Sequence, residues 1–319
     1  MGKYVIKRLL WLIVVAVCTA LVIFTIMYFI PGDPATIALP STATYAEKEA
    51  FRDSLGLNDP FIVQLGSYLY QTFIKFDFGT SWEYNTPVVQ ELFARFPRTF
   101  LLSMINIILA AAIGIPLGIM CALRQNKWQD HTLMVVSMIG VSIPEFWLAL
   151  MLILLFTARL GWLPAFGIGS PAHWVMPVIA GSFAGIAKNA RQTRSSTLET
   201  IRSDFVTTAR AKGLPERLVI YKHMLPNALI PIINILGAQL TKSIGGTVVI
   251  ESVFTFPGVG LYMLSGINNR DYPVVRSCVL VLSLFAAVIT LLVDLIYAFV
   301  DPRIKAQYVV SGKKGGKKK

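Results

Sequence analysis

Long apolar stretches alternate with short polar ones along the chain. The first stretch runs from Leu9 to Ile30 with no charged residue inside it. About 20 apolar residues in a helix cross the hydrocarbon core of a bilayer. A cleaved signal peptide has a shorter apolar region of about 7–15 residues before a small-residue cleavage site. Here Pro31-Gly32-Asp33-Pro34 follows instead, so the segment reads as a retained first span. The same pattern predicts six spans, near 9–30, 99–122, 133–157, 173–191, 228–252 and 277–300. In the third, Pro144 is expected to bend the helix and Glu145 to face the bundle. The fourth, "HWVMPVIAGSFAGIAKNARQ", is the least hydrophobic and is rich in Gly and Ala. Small residues let helices approach closely, so this span is expected to be surrounded by protein. The predicted fold class is an all-α polytopic membrane protein.

Composition agrees. Of the 319 residues 55% are hydrophobic and only 14% charged, against about a quarter charged in an ordinary soluble domain. The net charge of +12 would suggest nucleic acid if it were clustered on one surface, but its distribution follows the spans. With the N-terminus inside, 20 of the 29 lysines and arginines fall in cytoplasmic segments and eight outside, with Lys242 inside a span. That bias places both termini in the cytoplasm. The predicted organisation is a first span with its short leader (1–30), an extracytoplasmic cap (31–98), a five-helix core (99–300) with a long cytoplasmic loop at 193–227, and a basic tail (301–319). The tail, ending "GKKGGKKK", is low in complexity and suited to anionic headgroups of membrane lipid. In the cap, Ile62, Leu65, Leu69 and Phe73 recur at helical spacing after Pro60, and Asp77 and Gly79 supply turn residues.

The 193–227 loop is the polar anomaly of the chain. Ser196-Thr197-Leu198-Glu199 has the pattern of a capping box, so a helix is expected to start there. Gly213 suits the residue just past a helix, because it takes positive φ without a Cβ clash. Pro215 suits the start of the next helix, where its missing N–H costs nothing. Leu218, Tyr221 and Leu225 form one apolar stripe, and Pro226 marks the next boundary. Thr207, Thr208, Ala209 and Ala211 give the first helix a shallow surface that another body can approach. The loop thus reads as helix, tight glycine turn, helix and return to the membrane, with a covering partner or its own membrane domain against the stripe.

At these residues the chain resembles the inner-membrane permeases of binding-protein-dependent ABC importers. Their cytoplasmic loop has the pattern Glu-Ala-Ala, three residues, Gly, nine to ten residues, then Ile-x-Leu-Pro. Gly213 is the glycine, Leu225-Pro226 the terminal pair and Ala209 the second alanine. Thr207 and Thr208 stand in place of the first two letters and His223 in place of the Ile. The stretch from Asp204 to Leu214, "DFVTTARAKGL", is similar to the peptide-type form "DYVRTARAKGL". "PGDP", "FDFGTSW", "SIPEFWLALMLILLF", "GWLPAFG", "VVIESVFTFPGVG", "RDYPVV" and "DLIYAFVDPR" also look like the dipeptide, oligopeptide and nickel permease group, in the same order. The resemblance implies a type I importer permease in a prokaryotic cytoplasmic membrane. It implies a second homologous permease, two cytoplasmic ATPase subunits and an extracytoplasmic solute-binding protein as partners, with peptides the first cargo class and nickel another. It implies that Thr208, Ala209, Arg210, Ala211, Lys212, Gly213, Leu214, Pro215, Leu225 and Pro226 couple the pore to the ATPase. No G-x-x-x-x-G-K-[ST] phosphate loop occurs in the chain, so it is not expected to hydrolyse ATP or to need a cofactor.

Charged groups within spans are costly, on the order of 2.5–3.5 kcal/mol each at the membrane centre. Lys242, Glu251 and Asp294 are therefore candidates for a translocation path, for pairing, or for contacts with partner helices. Gly245 and Gly246 open the stretch "GGTVVIESVFTFPGVG", which suits an extracellular gate or an ordinary span exit. The same three charged residues would serve an ion-coupled secondary transporter, the alternative function. A membrane enzyme has no support: no Ser/His/Asp set or carboxylate pair has suitable spacing. His131, His173 and His223 are scattered, and Cys18, Cys121 and Cys278 lack metal-ligand spacing, so neither a metal site nor a disulfide framework is expected.

Overall fold

The computed structural model describes Gly2 to Val300 apart from Pro31, Pro34, Ile37, Ala38, Pro40 and Ser41. The basic tail 301–319 and the two prolines of "PGDP" lie outside the described residues. Among the described residues the ordered structure is helical, with one isolated antiparallel bridge between Thr80 and Pro87. The helices are α1 (Gly2–Phe29), α2 (Tyr45–Ser54), α3 (Phe61–Phe73), α4 (Val88–Leu123) and α5 (Trp128–Ser142). Next come α6 (Glu145–Leu152), which runs on into π-helical Ile153–Arg159, then α7 (Ala172–Ile201) and α8 (Asp204–Ala211). Glu216–Leu218 and π-helical Val219–Met224 lead into α9 (Leu225–Val253), followed by α10 (Val259–Asn268) and α11 (Tyr272–Val300).

Four stretches among the described residues are long and apolar enough to cross a membrane: Arg8–Phe29, Val88–Leu123, Glu216–Ser243 and Tyr272–Ile296. The expected third span is broken. α5 and α6 meet at 95°, because Ile143, which precedes Pro144, is held extended at φ −75° and ψ 122°. Glu145, the first residue of α6, is exposed. The expected fourth span lies within the 30-residue α7, which is too polar to count among those stretches.

The chain divides into two compact units. The first comprises Met1–Leu101, Phe166–Gly169 and Ile244–Ala287. Its α2 begins at a true capping box: the Thr44 hydroxyl accepts from the Glu47 N–H, and the Glu47 carboxylate accepts from the Thr44 N–H at 2.7 Å. Arg52 reaches from α2 to Asp33 at 2.7 Å and Glu49 at 2.9 Å, and this guanidinium holds the Asp33 carboxyl below its ordinary range. Helix α3 is amphipathic, but its inward face begins one residue earlier than the spacing suggested. Phe61, Leu65, Tyr68, Leu69 and Thr72 turn inward, while Ile62 is 78% exposed.

The second unit comprises Leu102–Ala165, Ser170–Ser243 and Val288–Lys319. Its hub is α7, against which α5 and α6 pack. Two G-x-x-x-G pairs bring α4 and α7 together. A Cβ on Gly118 would lie 2.4 Å from the Ala190 carbonyl oxygen, and one on Gly185 2.9 Å from the Ala110 side chain. This close approach explains why the most polar long helix is embedded: its small residues exchange side-chain volume for backbone contact. Asn189 on α7 accepts a hydrogen bond from Gln239 on α9 at 2.8 Å.

Helix α7 also overruns the expected start at Ser196. The Ser196 hydroxyl donates to the Ala228 carbonyl at 2.7 Å and is buried, so a tertiary acceptor replaces the capping role and the helix continues to Ile201. Pro226 likewise marks no break. It is the second residue of α9, directly behind the π-helical stretch, whose wider turn accommodates a residue that offers no N–H.

Candidate functional site

Two short helices following glycine or proline turns stand out, one in each unit. In the second unit, α8 folds back on the π-helical stretch to form an elbow with a core of its own. Val206, Ala209, Val219 and Met224 are buried together, with Ile201, Leu214, Ile220 and Leu225 packed around them. The turn between the two arms depends on Gly213, at φ +72°, whose N–H donates to the Arg210 carbonyl at 2.9 Å. A Cβ there would meet no atom within 4 Å, so the demand is conformational and not steric. Pro215 caps the second arm, which starts at Glu216. Arg210 and Glu216 close the elbow with a two-pronged pair at 2.6 and 3.2 Å, and this bond raises the Arg210 guanidinium further above its ordinary value.

The elbow's outer surface is open. Thr208, Arg210, Ala211, Lys212 and Pro215 are exposed, as is Pro226 at the start of α9, while Ala209 is buried and Leu214 and Leu225 are half-buried. The Thr208 hydroxyl bonds only back to the Asp204 carbonyl, at 2.8 Å. Phe205 is 45% exposed and Tyr221 71%. The expected stripe is therefore split: Leu218 and Tyr221 face out, while Leu225 packs on the elbow's core. Val206, Val219 and Met224, which make that core, were not singled out from the sequence, although the i, i+3 spacing of Val206 and Ala209 carried the signal. Near the root of the elbow, Asp130 accepts two hydrogen bonds from Arg194 of α7, one at 2.7 Å from Nη2 and a shorter one from Nε. With the partners 64 positions apart in the chain, no local pattern could have signalled that pair.

In the first unit, α9 ends in a tightly built turn. The Phe256 N–H reaches the Glu251 carbonyl at 2.8 Å and the Thr255 N–H the Ser252 carbonyl at 3.4 Å, the two bonds of a Schellman motif. Thr255 occupies its positive-φ position at +48°, and Phe254 and Phe256 are buried on either side. The Glu251 side chain is fully buried. Its carboxylate accepts from the Thr99 hydroxyl at 2.7 Å and the Leu261 N–H at 2.9 Å, and it also bonds Thr247 and the Gly260 N–H. Thr99 in turn accepts from the Val259 N–H at 2.8 Å. Glu251 therefore sits at the start of α10, where free N–H groups and the helix dipole favour an anion. Gly258 is required for a reason opposite to that of Gly213. Its φ of −99° is ordinary, but a Cβ would lie 2.4 Å from the Glu251 carboxylate.

Lys242 is exposed on α9 and has no ion-pair partner among the described residues. Gly245 is exposed, and Gly245 and Gly246 both lie inside the uninterrupted α9. Asp294 is half-buried on α11. Among the described residues no group of three His, Cys, Asp or Glu side chains could hold a metal ion.

The model of the binding-protein-dependent transport system inner membrane component matches residues 114–306, and that of the N-terminal part of such membrane components matches residues 1–103. The dipeptide transport system permease protein DppB of Alkalihalophilus pseudofirmus is 39% identical, covering 96% of this chain and 100% of its own. The oligopeptide transport system permease protein AppB of Bacillus subtilis is 37% identical with the same coverage. The glutathione transport system permease protein GsiC of Pectobacterium atrosepticum is 38% identical over 96% of this chain and 99% of its own. Among solved structures, an inward-facing form of the MetNI methionine ABC transporter aligns with a TM-score of 0.58 at 18% identity, covering 66% of this chain and 97% of that one. These matches lend no support to the ion-coupled alternative.

Proposed function

This chain belongs to the family of binding-protein-dependent transport system inner membrane components, and from that premise we propose that it forms the translocation path of an ATP-driven peptide importer and is moved through its elbow by separate ATPase subunits. The observation that carries the proposal is the elbow itself. It is rigid enough to transmit force, because it has its own core and an Arg210–Glu216 clasp. It is also open enough to be gripped, because Phe205, Thr208, Ala211, Lys212 and Tyr221 are exposed. A buried loop would have no partner, and an exposed loop without a core would yield instead of pushing. The basic residues crowd the segments around the elbow, which supports a cytoplasmic position for it and for both termini. A second homologous permease would complete the path, and an extracytoplasmic binding protein would deliver the cargo. Peptides are the cargo class supported by the names of the full-length relatives. Lys242, Gly245, Gly246 and Asp294 remain the proposed path-facing set. Glu251 leaves it, because its bonds tie it to α10.

The test is reconstitution in liposomes with the second permease, the ATPase subunits and the binding protein. Peptide uptake is expected only with ATP and all components. Solute accumulation by the chain alone from an ion gradient would overturn the proposal. In the same assay Lys242→Ala is expected to reduce uptake while leaving the amount of protein in the membrane unchanged. Unaltered uptake would assign Lys242 to packing or lipid contact.

A further inference from the structure

The first unit contains a cavity of about 740 Å³ that none of the functional readings above uses. Its walls include Phe24, Met27 and Tyr28 at the end of α1, Tyr68 of α3, and Tyr272 and Arg276 of α11. Arg276 is its unusual member. The guanidinium lies over the ring of Tyr68 at 4.9 Å and of Phe24 at 5.7 Å. Among the described residues its one hydrogen bond runs from Nε to the Tyr272 carbonyl at 3.3 Å. No carboxylate lies within ion-pair distance of it among the described residues. The Asp33 carboxylate on the cavity wall is already held by Arg52 through Nε at 3.1 Å and Nη2 at 2.7 Å. Stacking on aromatic faces leaves the N–H edge of a guanidinium free, and that edge matches two oxygens of a phosphate or carboxylate. Tyr272 is buried, and its hydroxyl is shut off from the cavity. Arg276 thus lines the cavity as a cation with no carboxylate in direct contact among the described residues; Asp271 acts on it only from a distance and is itself bonded to the Ser81 hydroxyl and the Glu83 N–H.

Depth selects the ligand. The apolar stretch Arg8–Phe29 has 22 residues, about 33 Å of helix at 1.5 Å per residue, which spans the hydrocarbon core. Met27 and Tyr28, at the end of that stretch, therefore sit where hydrocarbon gives way to headgroups. Tyr272 opens the apolar stretch of α11 and packs directly on Met27, so Arg276 lies one helical turn from the same boundary. Beside it α3 and the residues after it expose Ile62, Val63, Ile74 and Phe76, apolar groups suited to the interface of a bilayer. We propose that this cavity holds the headgroup of a membrane phospholipid, with the phosphate on the free N–H edge of the Arg276 guanidinium. Asp59 also lines the cavity and would face the ammonium of a zwitterionic headgroup.

The test uses the assembled transporter in nanodiscs of phosphatidylethanolamine and phosphatidylglycerol, extracted into detergent and examined by native mass spectrometry. One phospholipid per chain is expected to survive delipidation. Arg276→Gln is expected to lower its retention roughly tenfold, the loss of one charge-assisted phosphate contact, and Arg276→Lys roughly threefold, the loss of the two-pronged fork with the charge kept. Equal retention in the wild type and both variants overturns the proposal. If Arg276→Gln fails to accumulate, Arg276→Lys alone decides: unchanged retention overturns the site and reduced retention supports it. A second arm adds a tripeptide during delipidation. Retention of the peptide mass in place of the phospholipid overturns the lipid assignment in favour of a carboxylate ligand.

Discussion

The elbow around Gly213 and the turn around Glu251 solve the same problem by opposite means. Each reverses the chain beside a short helix, and each relies on a glycine. In the elbow the glycine supplies a backbone angle in open space. In the Glu251 turn it supplies room against a buried carboxylate, while the unusual backbone angle falls on Thr255. The elbow keeps its polar groups in solvent and buries four apolar side chains under them. The turn buries its carboxylate and surrounds it with donors. A surface that must be gripped needs exposed groups on a stiff base. A segment that must hold one shape gains more from a satisfied buried polar group, whose partners are costly to separate.

Removing the carboxylate should produce the largest effect. Glu251→Ala leaves the Thr99 hydroxyl and the Leu261 N–H without their acceptor, at roughly 1–3 kcal/mol for each buried group. It is expected to lower the midpoint of thermal unfolding in detergent and to expose the 254–261 segment to protease before the elbow. Elbow cleavage appearing first would erase the distinction. Gly258→Ala follows, at about 1–3 kcal/mol for overpacking. Its Cβ meets a carboxylate fixed by several bonds, so unfolding should shift without a specific loss of coupling.

Gly213→Val tests the other half of the comparison. Open space leaves only the backbone strain of a β-branched residue at positive φ, about 1–2 kcal/mol. Membrane insertion is expected to persist while ATP-driven uptake and co-purification with the ATPase are lost. Full uptake by this variant would detach the elbow from coupling. The smallest shift has the opposite sign. Thr255→Gly relieves a β-branched residue at the positive-φ position of a Schellman motif and is expected to stabilise by about 0.5–1 kcal/mol. An unfolding midpoint that falls instead would show that the Thr255 side chain contributes more than its backbone costs.

Much of this architecture can be read from local pattern. The long apolar stretches predicted α1, α4, α9 and α11, and "KGLPE" predicted the elbow's turn, because Gly213 and Pro215 act within a few bonds of themselves. The small residues of α7 predicted an embedded helix despite its polarity. Other expectations failed where a distant group competed with a local one. Ser196 was expected to cap a helix, but the Ala228 carbonyl captured its hydroxyl and α7 ran on. Pro226 was expected to end an element, but a π-helical stretch absorbed it.

By itself, then, the amino-acid sequence determined that this chain lives in a membrane, where four of its long apolar helices lie, where its elbow turns and which family it joins. Those properties depend on hydrophobic run length and on backbone preferences of single residues, both local quantities. Only the tertiary structure decided what the charged residues do. It made Glu251 a cap for α10, left Lys242 exposed, joined Asp130 to Arg194 across 64 positions and set Arg276 against aromatic rings in a cavity. A charge inside a membrane protein takes its role from whichever partner folding brings within hydrogen-bond reach, and no spacing along the chain encodes that partner.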